Sequence, residues 1–141
     1  MIIDPVKMAT PNGPTPSHPV VMDALSDATD SDLALVAMFG ATSFDIFHVG
    51  DAFGERFEDG AALRQHLTSI AQDLRSEFFQ RDLFGGLRPT GDRVEYTTKE
   101  QGDVMFVEVF CGRRGMLLGV DADASVPPLV DAASKLLANQ V

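Results

Sequence analysis

Three groupings of residues in this 141-residue chain have types and spacings that could do chemistry. The first is the run DADASVPP, residues 121–128, where Asp121, Asp123 and Ser125 alternate as the oxygen ligands of a calcium loop do. Such a loop needs Gly at its sixth position and a bidentate Glu at its twelfth. Those places hold Val126 and Ala132, so the calcium reading fails. The second is His48 between Ser43 and Asp51, the residue types of a nucleophile, a base and an orienting acid. On one extended strand residues three and five apart point to different faces or lie too far away, so a structural or solvated histidine is expected. The third is His66, expected on the exposed side of a helix. It has no His or Glu four residues away with which to hold zinc. The single cysteine, Cys111, ends the apolar run VMFVEVFC and reads as a small buried hydrophobe. With no Walker loop, GxGxxG motif or paired cysteines, no catalytic residue, metal or cofactor is expected, and the chain is not expected to be an enzyme.

The charge balance narrows the partners. Twenty-one acids face 11 bases, for a net charge of −10. Neutralising nucleic-acid phosphates takes a basic patch, so nucleic acid is an unexpected partner. The acids are mostly Asp, and Lys occurs only at 7, 99 and 135. This bias resembles that of proteins from salt-saturated cytoplasms, where screening removes the self-repulsion, and it predicts a loss of stability below molar salt; the alternative is an acidic protein from a GC-rich mesophile, consistent with thirteen Val against four Ile. With no apolar leader segment and no apolar stretch of about 18 residues, a cytoplasmic protein without membrane contact is expected.

The elements that would position these residues follow from periodicity. Residues 1–18, with Pro5, Pro11, Pro14 and Pro16 and no apolar period, are expected to be a flexible tail before a single α/β domain over 19–141. A short helix starts at Pro19. The apolar run 33–39 and the alternating FDIFHV, 44–49, form a hairpin in which Phe44, Ile46 and His48 share a face. Leu63, Leu67, Ile70, Leu74 and Phe78 then mark a long helix of about 20 residues, some 30 Å, N-capped by Asp59, and Gly85-Gly86 ends whatever helical turn remains after Phe79. Three strands follow in RVEYTT, VMFVEVFC and GMLLGV, with turns at KEQGD and GRRG, and a last helix opens on Pro127 and Pro128. Strands covered on both faces read as continuous apolar runs, whereas edge strands alternate. LALVAMF and GMLLGV therefore belong in the middle and FDIFHV and RVEYTT at the edges, which makes one five-stranded antiparallel sheet of order 2-1-5-4-3 in an α+β fold.

Over residues 20–139 this helix and strand order resembles the Roadblock/LC7 domain, a relative of the profilin and longin folds. The FDIFHV strand, the helix after it and the GDRVEYTT…VFCGRRGMLLGV tail are also similar to small acidic haloarchaeal proteins. The Roadblock resemblance implies a non-enzymatic homodimer that regulates or tethers a cytoplasmic partner such as a small GTPase. PAS and GAF domains share the sheet order, so a sensory domain binding a small ligand is the alternative, although a PAS domain would break residues 54–84 into several short helices around a cavity. The interface is expected at Phe44 and Phe47 on the edge strand and at Phe78 and Phe79, which as neighbours point to different faces of the long helix; Arg113 and Arg114 in the last turn either join it by contacting an acidic partner or, the favoured reading for exposed charges, are simply solvated.

Overall fold

The computed structural model describes residues 18–40, 43–85, 94–112 and 114–138, without the side chains of 78–85 and 94. The elements are α1 (His18–Ala28), β1 (Leu35–Gly40), β2 (Phe44–Val49), α2 (Asp51–Gly54), α3 (Gly60–Gly85), β3 (Val94–Gln101), β4 (Val104–Cys111), β5 (Arg114–Asp121) and α4 (Val126–Ala138). The strands form one antiparallel sheet of order β2-β1-β5-β4-β3, as the apolar runs predict.

Two cores explain the pattern of each strand. On one face α1 and α4 bury Val21, Leu25, Leu129 and Ala133 against Val36, Val107, Val109, Met116 and Leu118. On the other, α3 lays Leu63, Leu67, Ala71 and Leu74 over Leu35, Ala37, Phe39, Phe106 and Leu117. β1 and β5 face both layers, so every residue in their centres must be apolar. The two hairpins of the β3-β4-β5 meander turn on Gly102 (φ +65°) and Gly112 (φ +62°). A glycine with positive φ at the first of two loop positions matches the right-handed twist of the strands it joins.

Several expectations are corrected. α3 runs 26 residues, about 39 Å, because nothing in EFFQRDLF breaks a helix before Gly85. Asp59 does cap it: Ala62 N–H donates to Asp59 Oδ1 at 2.8 Å. The segment GDAFGERFEDG before it, expected to be a loop, contains the one-turn α2. His18, expected in the tail, opens α1, and the rest of that expected tail, residues 1–17, lies outside the described residues. β2 is an edge in hydrogen bonding but not in burial, for Phe44, Asp45, Ile46 and Phe47 are all buried. The pairing also slips there: Val36 pairs with His48 and Ala37 with Ile46, so Phe47 is an extra, bulged residue. The bulge turns His48 to the α1 side with Val36, away from Phe44 and Ile46, and a face shared by all three does not form.

Candidate functional site

A charge inside a sheet costs free energy unless a partner meets it. Glu108 is in the middle of β4, points to the α3 side opposite Leu117, and is 4% exposed. Its neighbours supply what burial takes away. Across the strand pair, Thr97 Oγ1 donates to Glu108 Oε1 at 3.0 Å, and from two residue pairs further along Lys99 Nζ is 3.0 Å from Glu108 Oε2. The same ammonium is 3.6 Å from Oε2 of Glu77 on α3. Strand alternation puts Thr97 and Lys99 on one face of β3, and the hairpin register sets them beside Glu108. Partial burial pulls the Lys99 pKa down, but the hydrogen bond and charge of Glu108, followed by those of Glu77, outweigh it and hold the pKa above its ordinary value of 10.5.

This arrangement holds a charge rather than activates one. Both oxygens of Glu108 are engaged by Thr97 and Lys99, and an ammonium kept protonated is a poor nucleophile. A second pair, Arg56 with Asp103, ties the segment after α2 to the β3-β4 turn; the guanidinium hydrogen bond holds the Asp103 carboxyl below its ordinary value. Among the described residues, no group of three or more His, Cys, Asp or Glu side chains is placed to hold a metal ion.

The residues expected at an interface scatter. Phe44 is 1% exposed in the α3-side core and Phe47 8% exposed on the opposite side, where its ring stacks on His18 at 6.4 Å. The expected exposure of these two aromatics is therefore corrected: α1 covers one side of β2, and the residues around α2 and α3 cover the other. Arg114 is not at a hairpin tip but begins β5, half-buried between Cys111 and Gly40 and on the same face as Met116, Met38 and Asp45. Arg113 and the side chains of Phe78 and Phe79 lie outside the described residues. His48 Nε2–H donates to the Leu33 carbonyl at 3.1 Å, a structural role that matches its expected reading. His66 is half-buried, not exposed, with its ring 5.0 Å from that of Phe57. Cys111 is half-buried because β4 ends there.

The Glu108 cluster is the feature that sequence reasoning missed. Its signal was present in VMFVEVFC: a Glu within a run buried on both faces needs a cation, and the adjoining strand supplies Lys99. Comparison with family models, curated proteins and solved structures finds no match for the chain. No helix among the described residues is long and apolar enough to cross a membrane.

Proposed function

We propose that the chain is a non-enzymatic interaction module of the Roadblock/profilin type, which forms a homodimer and tethers or regulates a partner protein such as a small GTPase. The observation that carries this reading is the filling of the space between α3 and the sheet. Phe39 and Phe110 meet edge to face there at 5.5 Å, and Phe53 meets Phe106 at 6.1 Å, where a sensory domain would hold its ligand.

The dimer surface moves with the burial of β2. At the other end of the sheet β3 offers an eight-residue edge with no proline and with Tyr96 50% exposed. An edge of that length is a template for another strand, and a second copy related by a two-fold axis covers the same surface on both chains. The two-residue turn makes Gln101 and Val104 a hydrogen-bonded pair, so Lys99, Thr97 and Glu95 bond β4 while Thr98 turns its N–H outward. Light scattering at about 100 μM should give twice the 15.2 kDa chain mass, and Thr98→Pro, which deletes only the outward donor, should give a folded monomer. A wild type that stays at 15.2 kDa at about 100 μM overturns the dimer and favours the ligand sensor.

A further inference from the structure

We propose that two copies of the chain join their β3 edges in one antiparallel register, with the two-fold axis at Thr97 and Glu95 of each copy opposite Lys99 of the other. This rests on the β3-edge homodimer above and specifies the pairing that closes it. The backbone limits the choice. Val94, Tyr96, Thr98 and Glu100 turn their N–H and C=O groups outward, since Glu95, Thr97, Lys99 and Gln101 bond β4. A two-fold axis normal to the sheet must set outward residues opposite outward residues, so it falls at a residue of the strand and never between two. With the axis at Thr97, Val94 faces Glu100 and Tyr96 faces Thr98, each pair twice, for about eight hydrogen bonds between the chains. An axis at Tyr96 or Thr98 leaves about six bonds, and one at Lys99 about four.

Charge selects the same register. Glu95, Thr97 and Lys99 share the α3 face of β3, so the axis at Thr97 sets Glu95 against Lys99 of the second copy on both sides of it, in the close, non-hydrogen-bonded positions. An axis at Lys99 would bring two ammonium groups together instead. Lys99 is 56% exposed, and because an ammonium has three donors it reaches across while keeping Glu108 and Glu77. Glu95 likewise keeps its contacts within the chain, for a carboxylate accepts through two oxygens. At the far side of the sheet the bulge at Phe47 bends β2 and interrupts the even spacing that a further strand would need, so assembly stops at the dimer.

Solution NMR of the full wild-type chain at about 100 μM reads register and assembly separately. Glu95 and Lys99 are about 14 Å apart along one extended strand, so a nuclear Overhauser contact between their α protons must cross from chain to chain. That contact is the expected result. A dimer without it overturns the register and leaves the dimer standing, whereas a particle of 15.2 kDa overturns both. Glu95→Lys sets like charges opposite each other on both sides of the axis and should raise the dimer Kd by about tenfold or more, with the fold intact by circular dichroism. An unchanged Kd also overturns the register. Should Glu95→Lys fail to fold, the wild-type contact decides alone.

Discussion

Gly115 lies on β5 between Phe39 of β1 and Phe110 of β4, whose rings meet over it. A Cβ at this position would be 2.2, 2.4 and 2.8 Å from Cζ, Cε2 and Cε1 of Phe39, against an ordinary contact limit of 3.4 Å. The ring tip would have to retreat by the difference, about 1.2 Å, and Phe110 and α3 leave it no open side. Overpacking of this kind costs about 1–3 kcal/mol. Moving the ring off Phe110 forfeits about 0.5–1.5 kcal/mol more. Replacing a strand glycine returns about 0.5–1 kcal/mol through the unfolded chain. Gly115→Ala should therefore destabilise by about 2–3 kcal/mol, or roughly 6–12 °C in Tm for a chain of this size. The assay is urea unfolding of the wild type, Gly115→Ala, Phe39→Leu and the double variant at fixed salt. Phe39→Leu opens space where the new methyl would go, so the double variant should be at least about 1.5 kcal/mol more stable than the two single costs predict. Additive costs, or a Gly115→Ala cost below about 0.5 kcal/mol, would refute the claim that this glycine exists to admit the ring.

Asp59→Ala should cost about 1 kcal/mol by removing the acceptor that meets the Ala62 N–H, and Asp59→Asn should lose much less; urea unfolding distinguishes them. Because the folded-state pKa of Lys99 lies above its ordinary 10.5, the stability it contributes is complete below 10.5 and lost as pH rises through the folded value. Unfolding free energies of the wild type and of Lys99→Met/Glu108→Gln should therefore differ by a constant amount up to about pH 10 and converge at higher pH; a constant difference into strong alkali would exclude the ion pair as its source.

Sheet order was legible because it depends on which strands carry apolar residues on both faces, and LVAMF and MLLGV announce that coverage without any knowledge of pairing. The Asp59 cap was legible for a similar reason, being a local bond between a side chain and the first turn that follows it. The bulge at Phe47 was not. FDIFHV alternates as well as any strand, and the slip that moves His48 across the sheet is decided by its partner β1. The burial of Phe44 and Phe47 was hidden because a hydrogen-bonding edge and an edge of the helix layers are different boundaries, and α1 and α3 reach beyond the first. Glu108 could be picked out as a charge in a buried run, but Glu77 is 31 positions away, and only the docked helix brings it to Lys99.

The sheet is two hairpin-connected pieces joined at one seam, where β1 lies against β5. β3, β4 and β5 follow one another through two-residue turns and can zip as neighbours in time as well as in space. The seam pairs Leu35 with Gly119, residues 84 positions apart, and closing so long a loop costs chain entropy before any contact offsets it. The slow step of folding is therefore expected at the arrival of the β1-β2 hairpin, and a chain still awaiting it would present the apolar edge of β5 unpaired to every other chain in solution. A chain with a net charge of −10 approaches its own kind reluctantly, and in that interval the acidic surface acts as a kinetic guard for the unfinished sheet.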